Sequence, residues 1–344
     1  MPLPQTGAPL RPAADRKRGA RAVPAAAAGP AAMALQWLVV LALLLSGGAV
    51  HAAAGSRLVE VAPGVYLAQG AAGEPDPANL GRVGNAGFIV GDSGVIAIDT
   101  GTSYRQGVAL LEAIGRVTPK PVRLVLITHA RQEFLFGAAA YRERGIPIHM
   151  HRKTARLMAA RCENCLKNLR RTLGEEEMRG TAIFKPDREF EEGHAVEAIG
   201  RPVRVLYHGH SSGPGDIAVL DERTGALFAG GLLDNQRIPD IQDGDPEVWR
   251  KALAALQHTG AKTVVPGHGP AVPAPEAIAA VERYLAQLET KVRELLRAGV
   301  ALSAVADRSE LPGFEGWDLY DTVHRRNASI MYLRLEREQI FKEE

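Results

Sequence analysis

Cysteine is scarce in this chain. Its 344 residues include two, Cys162 and Cys165, in Arg-Cys-Glu-Asn-Cys. With no second pair, a four-cysteine zinc site is excluded within one chain. Three uses of a CxxC stay open: a local disulfide, a redox couple, or half of a metal site. The expectation carried forward is a Cys162–Cys165 disulfide. Basic tracts are missing from the body of the chain. The first 52 residues hold five of the 41 basic residues and one of the 39 acidic ones, so the remainder carries a net charge of −2. That balance argues against nucleic acid as a partner. Long hydrophobic runs are missing as well. The unbroken apolar run at residues 37–45 is well short of the roughly 20 residues a membrane span needs. The composition, 46% hydrophobic and 23% charged, supplies ample apolar material for a globular core.

What is present begins with a leader. Arg16, Lys17, Arg18 and Arg21 precede the apolar run, and small residues fill positions 46–54. This order is that of a secretory signal peptide, so residues 1–54 are read as a cleaved leader and the mature protein as periplasmic. The alternative is an uncleaved anchor, which would be the chain's one link to a membrane. Met33 is an alternative start, but it would forfeit the basic cluster.

The body alternates between strand and helix signals. Strands are expected at 58–61, 65–68, 86–90 and 95–99, separated by glycine-containing turns. A helix at 104–116 follows, then a buried strand at 123–128, a helix at 137–144, a strand at 146–150 and helices carrying the CxxC over 152–176. Strands return at 198–199, 203–207, 217–220 and 226–229. A helix at 247–258, a strand at 262–266 and helices at 274–298 and 322–342 complete the chain. The order predicts two sheets with helices outside them, and excludes a doubly wound sheet.

Chemistry-bearing residues cluster after four of the strands, where loops place functional groups. Asp99-Thr100-Gly101 follows VIAI. Thr128-His129-Ala130-Arg131-Gln132-Glu133-Phe134 follows LVLI. His208-Gly209-His210-Ser211-Ser212-Gly213-Pro214-Gly215-Asp216 follows VRVLY, and Pro266-Gly267-His268-Gly269 follows TVV. Three spaced histidines, His129, His210 and His268, each beside Gly or Thr at a strand end, are a candidate set for one zinc ion, since imidazole is a favoured transition-metal ligand. The opposing reading is three structural histidines. His149 and His151 form a weaker His-x-His, and His208 is read as a rim residue.

With those segments in that order, the sequence resembles the metallo-β-lactamase superfamily over about residues 56–290. More narrowly, it is similar to an exported subgroup associated with sulfur-oxidation and quinoprotein relay systems. The resemblance implies an αβ/βα four-layer sandwich, two mixed β-sheets flanked by helices, over residues 55–290. Residues 291–344 would be a helical extension packed on it. The family holds two metals, usually zinc, through His-x-His-x-Asp-His, a later His, a bridging Asp and a last His. Carried over by position, His129, His210 and His268 match. Glu133 stands for the Asp of the motif, Arg131 and Phe134 stand where two histidines belong, and Gly231 stands where the bridging Asp belongs. Asp99 matches a buried Asp behind the ligands.

The pocket candidates are therefore His129, Arg131, Glu133, Asp99 and Asp216. Arg131, a permanent cation, is expected to pair with Glu133 or Asp216 and to substitute for metal charge. Phe134 is expected either to fill vacated metal space or to be a simple packing residue. At Gly231 nothing nearby is expected to replace the carboxylate, with Asp234 pointing elsewhere. The preferred function is a non-catalytic binder of a small anionic molecule or a periplasmic protein. One alternative is a mononuclear zinc hydrolase acting on an ester, thioester or amide through His129, His210 and His268. The other is a redox or sulfur-handling role for Cys162 and Cys165.

Overall fold

The computed structural model describes residues 57–343, so the leader at 1–54 lies outside the described residues. The first sheet has seven strands in sequence order: β1 (Arg57–Ala62), β2 (Val65–Gln69), β3 (Ala86–Val90), β4 (Val95–Ile98), β5 (Val122–Ile127), β6 (Ile148–His151) and β7 (Arg188–Phe190). β1 to β4 form an antiparallel meander, and β4 to β7 are parallel neighbours. The second sheet runs β13-β12-β11-β10-β9-β8, from β8 (His194–Val196), β9 (Val203–Tyr207), β10 (Ile217–Asp221), β11 (Ala226–Gly230), β12 (Thr263–Pro266) and β13 (Val272–Pro273).

Period-two alternation explains the layering. In β4, Ile96 and Ile98 face the second sheet, while Val95 and Ala97 face outward onto helices. β5 repeats this with Leu124 and Leu126 inward and Val125 and Ile127 outward. On the other side, Ile217 and Val219 of β10 meet them, while Ala218 and Leu220 face outward. Both faces of these strands are buried, so they read as continuous apolar runs. The helices α1 (Tyr104–Val117), α2 (Gln132–Leu135), α3 (Ala138–Arg142) and α4 (Arg152–Leu173) accompany the first sheet. The second is covered by α5 (Pro246–Leu256), α6 (Ala274–Arg297), α7 (Leu302–Arg308) and α8 (Arg325–Glu343), the last preceded by a π-helical turn, Tyr320–His324. The architecture is thus two mixed sheets between helical layers.

Residues beyond 290 share that second core. Val292, Leu295, Val305, Phe314, Ala328 and Met331 pack with α5 and with strand residues such as Leu227 and Val264. No helix among the described residues is long and apolar enough to cross a membrane.

Several local expectations are corrected. The strand expected at 198–199 is absent, because Gly200 turns there with φ 68° and the chain bends. In its place β7 and β8, three residues each, extend the two sheets. The helix expected at 137–144 is α3, Ala138–Arg142, and the short α2 before it was not expected. The expected disulfide is not formed: Cys162 and Cys165 are free thiols three residues apart within α4. Side chains at that helical spacing have Cβ atoms roughly 5–6 Å apart, whereas a disulfide needs about 3.8 Å.

Candidate functional site

The loops after β5, β9, β11 and β12 open on one cavity of about 270 Å³. His129, Arg131, Glu133, Asp216 and His268 line it, with Gly231 and Asp234. Asp99 stands behind them, 3% exposed, at the end of β4. Its φ of 58° is a left-handed conformation that Asp tolerates better than most residues. That turn aims both carboxylate oxygens at Thr128. Oδ1 accepts from the Thr128 amide at 2.8 Å and Oδ2 from its hydroxyl at 2.7 Å. Thr128 Oγ1 also lies 2.8 Å from His129 Nδ1, so the three form a single relay.

Assigned from this network, the relay has two senses. With Asp99 ionised, Thr128 donates to it and accepts the Nδ1 proton of His129, leaving Nε2 a bare acceptor. With Asp99 protonated the order reverses, and His129 Nε2 carries an N–H into the cavity. Burial pushes Asp99 up to about 8, so the second sense prevails at neutral pH. Burial, with help from Arg131, pushes His129 down to about 3, so its ring is neutral. His129 Nε2 is buried and has no partner.

His268 is held differently. Its Nδ1 lies 2.8 Å from Asp234 Oδ1, and its Nε2 3.3 Å from Glu133 Oε1. Burial opposes a charge on this ring, but Asp234 and then Glu133 outweigh it and raise the pKa. Burial likewise pushes Glu133 up, but His268, followed by Arg131, holds it down at about 2. Both carboxylates thus favour the protonated form of the ring. Asn85 fixes the loop that carries it, donating to the carbonyls of Pro266 and Gly269 at 2.9 and 2.8 Å. The Phe134 ring, fully buried, lies between the two histidines, 4.1 Å from His129 and 5.2 Å from His268 by ring centroids.

Several expectations at this site are corrected. Arg131 pairs with neither Glu133 nor Asp216 but with Asp240, at 2.9 Å. Burial opposes its charge, yet Asp240, then Glu133 and Asp234, keep the guanidinium firmly protonated. Around Gly231 the space is occupied. A Cβ there would lie 2.8 Å from Asp216 Oδ2, 3.0 Å from His129 Cδ2 and 3.3 Å from Ser212 Oγ. Asp216, bonded by the Ser212 hydroxyl at 2.7 Å and pushed up to about 6 by burial, therefore brings a carboxylate to that position from another strand. Asp234 does not point away, since it bonds His268. Gly230 is a glycine by necessity: φ is 49°, and a Cβ would meet Thr128 Oγ1 at 2.4 Å.

His210 does not join His129 and His268. It is exposed, its Nε2 lies 2.6 Å from the Asp243 carbonyl, and it lines a separate groove beside α5 and α8. His208 is half-buried and outside the cavity lining. His151 caps α4, accepting from Lys153 N, with its other ring nitrogen at the Glu191 carbonyl, which makes it structural.

The residues present do not fit a zinc ion. Among the described residues no group of three or more His, Cys, Asp or Glu side chains is arranged to hold a metal. His268 has Nε2 turned to Glu133 and Nδ1 to Asp234, so both of its ring nitrogens face carboxylates of the protein. His129 and His268 are the imidazoles in the cavity lining, and a zinc site needs three or more protein ligands.

Sequence reasoning missed the cavity's other wall. Asp234, Arg237, Asp240 and Asp243 come from the segment after β11, Arg161 and Cys165 from α4, Glu74 from the loop after β2, and Val323 and Arg326 from the C-terminal region. The signal available was a charged residue every third position directly after the buried LFAGGLL run. Asp240 accepts from both Arg131 and Arg326, the latter at 2.6 Å. Arg161 is paired with Asp243, and Arg237 with Asp318 at 2.8 Å.

Comparisons with known proteins agree with this architecture. A family model described as the metallo-beta-lactamase superfamily matches residues 80–268. No curated protein matches the chain. Among solved structures, a metallo-beta-lactamase from Pontibacter korlensis is similar, with a TM-score of 0.54 and 21% identity over 67% of this chain and 98% of that one. At that identity the likeness speaks for the fold alone. With the matched segment spanning the strand-end loops that build the cavity, the chain belongs to the metallo-β-lactamase superfamily.

Proposed function

We propose that this protein is an exported, non-catalytic member of its superfamily that binds a small anion in the cavity where relatives of the family hold metal. The observation that carries the reading is the sharing of Asp240 by two guanidiniums, Arg131 and Arg326. At this edge two guanidiniums meet one carboxylate, within a cavity whose lining carries four guanidiniums and six carboxylates. His129 adds a neutral N–H donor at neutral pH, and the rim guanidiniums offer planar forks suited to carboxylate, sulfate or phosphate. The metal positions are taken by internal pairs: His268 with Glu133 and Asp234, and Asp216 beside Gly231. In this reading the inherited ligand set has been rebuilt around the protein's own charges. The basic–apolar–small leader supports the periplasm as its location.

The test is thermal unfolding with sulfate, phosphate or citrate, against sodium chloride of equal ionic strength. At ten times its dissociation constant a bound anion stabilises the fold by about 1.4 kcal/mol, and a rise in Tm of that origin is expected. Arg131→Gln should abolish it. Asp240→Asn, which frees a second guanidinium charge, should tighten binding about tenfold. Elemental mass spectrometry of protein purified without chelator checks the other side. About one zinc per chain, lost in His129→Ala, would overturn the reading in favour of metal-dependent hydrolysis.

A further inference from the structure

The cavity has a thiol in its wall. α4 presents Arg161 and Cys165, one turn apart, to the cavity. The adjoining stripe, including Met158, Cys162 and Leu166, is buried in the core beneath the first sheet, and Cys165 packs against its edge. Cys162 is 1% exposed, while Cys165 is half-buried. The neighbouring Cys162 thiol, acting against burial, favours the Cys165 thiolate and holds its pKa below the ordinary value. The same contact, with burial, pushes Cys162 up. Cys165 is thus the sulfur accessible from the cavity, and Cys162 lies buried behind it. His129 Nε2, 2% exposed and without a partner, faces the same cavity, as does the Arg131 guanidinium.

We infer that Cys165 is a covalent capture site for a small disulfide bearing a carboxylate, which seats its anionic group on the Arg131–Arg326 rim and is attacked at sulfur by Cys165. The inference rests on the anion-binding reading of this cavity. In the step, the Cys165 thiolate forms a new S–S bond as the ligand's own S–S bond breaks. The electron pair of the broken bond leaves on the departing half, which takes a proton from water. Cys165 is oxidised and the departing sulfur reduced, with the ligand itself as oxidant. The mixed disulfide persists. Cys162 sits three residues away on one unbroken helix, with Cβ separations of roughly 5–6 Å at that spacing against the roughly 3.8 Å that closure requires.

The experiment compares two disulfide probes on the full chain: 5,5′-dithiobis(2-nitrobenzoate), which carries carboxylates, and the neutral 4,4′-dithiodipyridine. One equivalent of thionitrobenzoate should be released, with peptide mass mapping placing the adduct on Cys165. Cys165→Ser should be inert and Cys162→Ser should still react once. Arg131→Gln should slow the carboxylate probe by at least about tenfold and change the neutral probe by less than about twofold. Saturating sulfate on the wild-type protein should show the same selectivity, a readout that needs no variant to fold. Release of two equivalents with loss of the adduct, an adduct on Cys162, or equal sensitivity of both probes to Arg131 and sulfate would each overturn the inference. Sulfate-dependent melting without any Cys165 adduct sinks the capture site alone, whereas absence of the sulfate effect sinks the anion reading beneath it.

Discussion

Replacing Arg201 with Met should destabilise the protein by about 3–5 kcal/mol, the cost of leaving a buried charge without its partner. The Arg201 side chain is 3% exposed and that of Asp221 fully buried. Two parallel bonds of 2.6 Å join them. Arg201 also donates to the Val90 and Pro63 carbonyls at 2.8 and 2.9 Å, so one guanidinium ties β3 and the β1–β2 turn of the first sheet to β10 of the second. Burial pushes the Asp221 carboxyl up, but the bonds from Arg201 and Thr224 prevail and hold it below its ordinary value. A carboxyl depressed on folding stabilises the native state above its unfolded pKa, and that contribution is lost as pH falls through the folded value. Denaturant unfolding at neutral pH measures the loss. The double variant Arg201→Met, Asp221→Leu should recover most of it, because a matched apolar pair leaves no uncompensated charge. If the double variant is as unstable as the single one, the loss lies in packing and not in the orphaned carboxylate.

His268→Leu should cost a comparable ~3–5 kcal/mol, and it should extend the gain of stability on acidification to lower pH. In the native protein His268, raised above its ordinary 6.5, stabilises most at low pH and loses that contribution as pH rises through its folded value. Glu133, held at about 2 against an ordinary 4.5, contributes above 4.5 and loses its contribution as pH falls towards 2. The pair therefore supports the fold best between 4.5 and 6.5. Without the imidazolium, Glu133 and Asp234 remain buried with no cation between them. Burial then raises Glu133, and the variant should gain stability as pH falls from 7 to 5. Unfolding free energies of both proteins across that range decide it. A variant whose difference from wild type is flat with pH would mean that His268 is neutral and the ion-pair description is mistaken.

These two effects differ in how visible they were beforehand. The layered fold was legible because strands buried on both faces leave an apolar signature, as in VIAI, LVLI and TVV, and because polar loops follow each of them. His129, Arg131, Glu133 and Asp216 were legible for the same reason: a charged or ligand-type residue at the end of a buried strand has few structural uses. Arg201 and Asp221 were not, since a single arginine after a glycine and a single aspartate at a strand end are common on surfaces. Burial of both arises only when the two sheets close over them.

Sequence by itself determined the class of fold, the four strand-end loops and the residue types they carry, because period-two burial and turn chemistry are local properties of the chain. It also determined that Arg131 is always charged and that Gly231 has no carboxylate of its own. Tertiary structure alone decided the partners. Arg131 meets Asp240 from a segment more than a hundred residues away, and Asp216 reaches the space beside Gly231 from another strand. His210 turns to the Asp243 carbonyl instead of to His129, and Cys165 opens on the cavity while Cys162, on the same helix, does not. Hydrogen bonds and ion pairs act over a few ångströms between groups far apart in sequence, so their assignment waits on how the layers pack.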